Sequence, residues 1–322
     1  HAGGQSRHGG RAVFGRVAAA RRQPAVVRRA IRQPNELRLL DRLHSFEQAV
    51  EAVRWARAAG FAANDGSLNL DLIYALPDQQ LPAWQDTVRR VLALQPDHLS
   101  LYALSLEHGT PFRAWSDRGL LPLPDPDVAA DMYEWADETL AAHGYQQYEI
   151  SNWAKDNEET KPADPLLPSS FLLLPSFACR HNLQYWRNLP YLGLGAGAHG
   201  CADGWRYANV LSPRAYIERA GLGDGHGAAP AAGWPFSAAL AEKHAVDRPT
   251  EMNETLMLGL RLTGEGVRAE AFRQRFGVEL AQTYGRKLRH LAGLGLLEWD
   301  AEGARLTRPG RLLGNRAFRE FV

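Results

Sequence analysis

Leu68-Asn69-Leu70-Asp71-Leu72-Ile73-Tyr74 is a nearly continuous apolar run that stops at Pro77. Its length suits a strand covered on both faces, the kind found in a parallel sheet. Upstream, Ser45 followed three residues later by Gln48 is capping-box text, and Phe46, Ala49, Val50, Val53 and Ala56 keep helical spacing until Gly60. Downstream, Trp84, Val88, Val91 and Leu92 mark a second amphipathic helix, and residues 98–104 a second strand. A further helix is entered at Asp125-Pro126 and left at Gly144, and 145–150 reads as another strand. Strand alternating with helix predicts right-handed βαβ crossovers, hence an α/β fold on a parallel sheet.

The remainder of the chain is organised around this core. Residues 156–177 contain four prolines and read as an inserted surface loop, and 63–67 as a smaller insertion. The α/β part is expected to run over 34–220. A Gly/Ala/Pro-rich linker follows over 221–248, and then a small domain over 249–322. Helices around 249–262, 268–276 and 279–292, a hairpin of 296–299 with 304–307 and a last helix from Pro309 give that domain a winged-helix-like layout.

Of 322 residues, 45% are hydrophobic and 23% charged, which excludes general disorder. The net charge of +1 hides a split. Residues 1–33 hold eight Arg and no acid, whereas the other 289 residues hold 29 basic against 36 acidic side chains and carry −7. The basicity is therefore not spread along a folded face, which argues against a nucleic-acid partner. The helical pair at 268–292 mixes charge and is not expected to bind DNA. In 1–33, Arg, Gly and Ala make up 20 residues, and the first Leu of the chain is Leu37. This segment is expected to be disordered, and its composition is what a GC-rich gene gives when read out of frame. Two cysteines, Cys179 and Cys201, cannot build a secreted disulfide framework or a three-thiolate metal site. No apolar run reaches the roughly 18 residues of a membrane span. A cytoplasmic protein without a membrane span is expected, with peripheral membrane contact left open.

Three motifs hold chemistry-bearing residues. Gly195, Gly197 and Gly200 satisfy G-x-G-x-x-G, but turn-like text follows where a dinucleotide site needs a helix. A tight loop beside a strand end, with His199 in it, is the better reading. Asp71 lies inside an apolar run, either as a structural acid paired with Arg42 or as an acid that holds a ligand hydroxyl or amine. His181, Asn182, Tyr185 and Trp186 form a polar-aromatic cluster, either packing or a site where an imidazole meets a metal under aromatic rings.

These stretches resemble the oxygen-independent coproporphyrinogen III oxidase-like radical SAM proteins, in particular their heme-chaperone branch. The resemblance lies in Leu43-His44-Ser45, 69–77, 148–154, His181-Asn182-Leu183-Gln184-Tyr185-Trp186 and 191–199, and spans about 34–155 and 178–322. It implies a partial β/α barrel with a [4Fe–4S] cluster and S-adenosylmethionine (SAM) at its strand ends, followed by the small winged domain. By the same resemblance Arg42 and Asp71 are SAM contacts. His181, Asn182, Tyr185 and Trp186 form the heme site, with His181 the candidate iron ligand and Gly195, Gly197 and His199 lesser candidates. The implied function is binding heme and passing it to a heme-requiring protein. The alternatives are a radical SAM oxidase of porphyrin biosynthesis or a non-functional gene fragment.

The sequence departs from the family in lacking its C-x₃-C-x₂-C cluster motif and the N-terminal part of the barrel that carries it. No cluster assembly, no SAM cleavage and an unpaired sheet edge beside 68–74 are therefore expected, and no catalytic residue is assigned.

Overall fold

The structure, a computed structural model, describes residues 25–27, 45–61, 68–106, 109–122, 125–156, 174–221 and 233–322. Of the expectations above, those for the rest of 1–33, for Arg42 and its pairing with Asp71, for 63–67 and for 157–173 lie outside the described residues. The chain divides into two compact units, His1–Ala178 and Cys179–Val322.

In the first unit, strand β1 (Ala25–Val27) pairs in parallel with β2 (Leu68–Tyr74), Ala25 opposite Leu68. The edge expected to be open is thus occupied by residues from the arginine-rich segment. Helix α1 (Phe46–Ala58) begins at a complete capping box, with the Ser45 N–H donating to Gln48 Oε1 at 2.8 Å and the Gln48 N–H to Ser45 Oγ at 3.3 Å. It is followed after β2 by α2 (Leu81–Leu92), β3 (His98–Ala103), α3 (Pro111–Asp117) and α4 (Pro126–Ala142). Asp125 caps α4 by accepting the N–H groups of Asp127 and Val128. The helices bury Ala49, Val53, Trp84, Val88, Met132 and Ala136 against Leu68, Leu70, Leu72, Leu99 and Leu101. Inside this core the Trp84 indole N–H donates to the Met132 carbonyl at 2.9 Å, so its polar atom is satisfied.

Two expectations need correction. Burial along β2 alternates: Leu68, Leu70, Leu72 and Tyr74 are buried, while Asn69, Asp71 and Ile73 are partly exposed, so only one face is fully covered. Within β2 the apolar text is unbroken only at 72–74, because Ile73 is the one apolar residue on the face that also carries Asn69 and Asp71. Nor is the sheet purely parallel. Its order is β1-β2-β3-β5-β4, with β4 (Tyr145–Glu149) and β5 (Asn152–Lys155) forming a hairpin whose second strand lies antiparallel beside β3. The reversal takes two residues. Glu149, fully buried, accepts the Ser151 N–H at 3.0 Å and the Asn152 side-chain amide, while the Ile150 carbonyl accepts from Tyr133 and Gln147.

The second unit opens with α5 (Arg180–Trp186) and an antiparallel sheet ordered β6 (His199–Ala202), β7 (Trp205–Asn209), β8 (Leu240–Ala245), with α6 (Pro213–Arg219) between β7 and β8. Asp203 (φ +53°) and Gly204 (φ +73°) make the two-residue β6–β7 turn, an Asp-Gly hairpin signal that the turn-like reading of 201–205 stopped short of. Part of the expected 221–248 linker is strand: β8 pairs with β7 although its residues are mostly exposed. Its backbone has a partner, but its side chains show no buried period.

The last part follows the winged layout closely, with α7 (Arg248–Gly259), β9 (Val267–Arg268), α8 (Ala269–Phe276), α9 (Leu280–Gly293), β10 (Leu297–Trp299), β11 (Gly303–Leu306), α10 (Arg308–Leu312) and α11 (Gly314–Phe318). The three short strands form one antiparallel sheet, β10-β11-β9.

Candidate functional site

Two groups of chemistry-bearing side chains stand out, one in each unit. In the first, strand register sets Asn69 opposite His98, Asp71 opposite Ser100 and Ile73 opposite Tyr102 on one sheet face. The Asn69 carbonyl oxygen lies 2.7 Å from His98 Nδ1 and 3.3 Å from Ser100 Oγ, and its amide donates to Asp71 Oδ1 at 2.8 Å. Tyr148 OH is 2.8 Å from His98 Nε2. This arrangement suits a neutral imidazole that donates from Nδ1 and accepts from the tyrosine at Nε2. Burial pushes the His98 pKa down to about 4, which keeps it neutral at ordinary pH. Sequence reasoning singled out Asp71 and passed over Asn69, His98, Ser100 and Tyr148. Their signal was the polar period of two along β2 and β3, hidden by the apolar residues of the other face.

In the second unit, α5 presents the H-N-x-x-Y-W residues. One turn apart, His181 and Tyr185 pack edge to face with ring centroids 4.9 Å apart, and Tyr185 meets Tyr191 in the same way at 4.6 Å. The Tyr191 backbone exchanges hydrogen bonds with Cys201 on β6, which ties this row of rings to the sheet. His181 is exposed, whereas Leu183 is buried. Asn182 and Trp186 stand on the neighbouring stripe. The Trp186 ring lies under the Arg261 guanidinium, 4.2 Å from its centroid, with its indole nitrogen buried and, among the described residues, without a hydrogen-bond partner. The motif therefore divides, with His181 and Tyr185 on one stripe and Trp186 packed into the protein.

Gly195 (φ +108°) and Gly197 (φ +67°) take backbone conformations that disfavour any side chain. Their loop is braced from three sides. Asn209 donates to the carbonyls of Gly193 and Gly195, both at 3.0 Å, Tyr216 OH accepts the Gly195 N–H at 3.1 Å and Tyr207 OH the Gly193 N–H at 3.3 Å. The loop leads into β6, a strand rather than the helix a pyrophosphate site requires. His199 is exposed at the start of that strand.

Residues 246–313 match the HemN C-terminal domain. The chain is 34% identical over 286 residues to the heme chaperone HemW of Lactococcus lactis, covering 89% of this chain and 65% of that protein. It is 32% identical over 286 residues to the heme chaperone HemW of Bacillus subtilis, with 89% and 66% covered. Over most of its length this chain is thus similar to HemN-like proteins. It spans about two thirds of the length of those relatives. Its fold is that of Escherichia coli coproporphyrinogen III oxidase (HemN), a radical SAM enzyme, with a TM-score of 0.69 at 21% identity over 97% of this chain and 66% of that one. The mixed α/β sheet and the winged C-terminal part are thus the HemN-like fold.

HemN-like proteins bring a [4Fe–4S] cluster and SAM into consideration. Three thiolates at C-x₃-C-x₂-C spacing are needed to hold three irons and leave the fourth for SAM. The sequence supplies two cysteines, Cys179 just before α5 and Cys201 in β6. Among the described residues no group of three His, Cys, Asp or Glu side chains is placed to hold a metal ion. These residues do not fit the cluster. Among the described residues no helix is long and apolar enough to cross a membrane.

Proposed function

We propose that this HemN-like protein binds heme against the His181–Tyr185–Tyr191 row and passes it to a heme-requiring acceptor protein, in the manner the name heme chaperone gives its relatives. The observation that carries this reading is an exposed imidazole packed edge to face against a tyrosine one turn away, inside the H-N-x-x-Y-W helix. Imidazole is a suitable ligand for heme iron, and Tyr185 and Tyr191 offer aromatic edges to a flat macrocycle. Charge supports the same unit. Residues 179–322 hold 19 basic against 14 acidic side chains, whereas residues 34–178 hold 10 against 22. A porphyrin with two carboxylates is drawn to the former and repelled by the latter. Asp71, in this proposal, is the acid that would meet SAM, and Arg42, outside the described residues, is the other residue assigned to it. His199, with Gly195 and Gly197 behind it, is the second candidate for iron. Cys179 and Cys201 form no disulfide among the described residues, which accords with a cytoplasmic setting.

A radical SAM oxidase of porphyrin synthesis is the second reading, favoured by the fold likeness to HemN and opposed by the cysteine count. Hemin titration separates the two. The chain as it stands should give a Soret band that His181→Ala abolishes or shifts, and the hemin-loaded chain should reconstitute an apo heme protein. An unchanged Soret band in His181→Ala would move the iron site elsewhere.

A further inference from the structure

We infer that the winged C-terminal part is the anchor that aims the heme-binding helix, with Arg275, Arg187 and Glu265 as positioning residues for His181 and Tyr185. The inference rests on the heme reading above. Helix α5 is only seven residues long, too short to hold its own direction, and its last carbonyls need partners. It ends in a Schellman arrangement. Asn188 takes the left-handed conformation (φ +50°), its N–H donates to the Tyr185 carbonyl at 2.9 Å, and the Leu189 N–H donates to the Gln184 carbonyl at 3.0 Å.

The next two carbonyls are taken from outside the helix. Arg275, in the last turn of α8, donates to the Arg187 carbonyl at 3.2 Å and to the Asn188 carbonyl at 2.8 Å, and the same guanidinium holds Glu251 of α7 at 2.6 Å. A forked cation at a helix C-terminus satisfies the exposed carbonyls and the helix dipole together. Asn188 adds a side-chain bond to Thr255 Oγ1 at 3.1 Å.

A second tie lies one residue earlier. Arg187 forms a two-pronged ion pair with Glu265, closest approach 2.6 Å, and the side chains are only 16% and 12% exposed. A pair so buried has few alternative partners, and removing one member strands the other. With Arg261 over Trp186, three arginine contacts fix the end and one side of α5, while His181 and Tyr185 stand on the stripe left for a ligand. None of these partners is within sixty residues of the helix in sequence, so its direction depends on the folded C-terminal part.

The test uses the full chain and hemin, with amide exchange of the hemin-free protein as a second measurement. Arg275→Lys keeps the charge but replaces the fork by a single ammonium, and Arg187→Ala breaks the buried pair. Each should weaken hemin binding about tenfold with a shifted Soret band, and speed exchange of the 183–189 amides about tenfold while β2 and β3 stay as protected as before. The swapped double variant R187E/E265R should recover most of both. Wild-type exchange in α5 and a wild-type Soret band in both single variants, alongside a lost Soret band in His181→Ala, would overturn the anchoring role alone. An unchanged Soret band in His181→Ala would overturn the heme reading and, with it, the claim that this anchor serves heme. Should Arg187→Ala fail to fold, Arg275→Lys decides by the same two readouts.

Discussion

The sheet of the first unit and helix α5 of the second are held by different forces. Around β2 and β3 the fixing is apolar: Leu68, Leu70, Leu72, Leu99 and Leu101 are buried under three helices, and even the Trp84 indole spends its one donor inside the core. Around α5 it is polar, built from guanidinium forks, a Schellman turn and a buried ion pair, with Leu183 the one fully covered side chain of the helix. Apolar burial is non-directional and sets stability, whereas hydrogen bonds to particular carbonyls set an angle. Damage to the sheet should therefore appear chiefly as lost folding free energy, and damage around α5 first as lost geometry.

The sharpest contrast is expected from Trp84→Ala. It removes a fully buried indole and its hydrogen bond, and should cost the first unit about 3–5 kcal/mol in denaturant unfolding. A loss below about 1 kcal/mol would mean that the core is not the main fixing of the sheet. The hemin site should survive in whatever fraction stays folded.

His98 supplies an intermediate effect that depends on pH. Buried, it stays neutral to about pH 4, whereas in the unfolded chain a histidine takes up its proton near pH 6.5. Between these values the unfolded state binds more protons, so stability falls as pH drops from about 6.5 to about 4. The contribution is complete above that window, and below it the group causes no further change. Its size is of order 3 kcal/mol across the window. His98→Gln should flatten the slope of unfolding free energy against pH between 4 and 6.5, and an unaltered slope would show that the imidazole is not buried neutral.

At the small end stands Arg214, paired to Glu218 one turn on at 2.8 Å but with the two side chains 90% and 61% exposed. Arg214→Ala should change the unfolding midpoint by no more than about 0.5 kcal/mol equivalent, because solvent and salt screen such a pair. A larger loss would erase the distinction between this pair and the covered Arg187–Glu265 pair.

Much of the fold was legible where one period dominates a segment. The capping box at Ser45, the Asp125 start of α4 and the whole winged layout follow from local spacing. The β4–β5 reversal was missed because its turn is made by Glu149 accepting from the residues just beyond it, a contact with no hydrophobic pattern. The strands β6 and β7 were legible only through Asp203-Gly204. At the candidate site, the cluster around His181 was visible as residue types, but not its division into two stripes, which depends on Arg261 and Tyr191. The arginine ties of α5 join residues far apart in the chain, and nothing local announces them.

Strand β8 is an outer strand of its sheet. Among the described residues it has β7 on one side and no strand on the other, and Glu242, Lys243 and His244 run through its exposed middle. Charges placed on an outer strand discourage a second polypeptide from adding to the sheet, so this segment guards against aggregation. Lys243 does a second job in the same place, with its ammonium 4.9 Å from the Trp205 ring centroid and 4.4 Å from that of Phe236. A strand with little core to bury thus keeps two aromatic rings roofed and helps keep the protein dispersed.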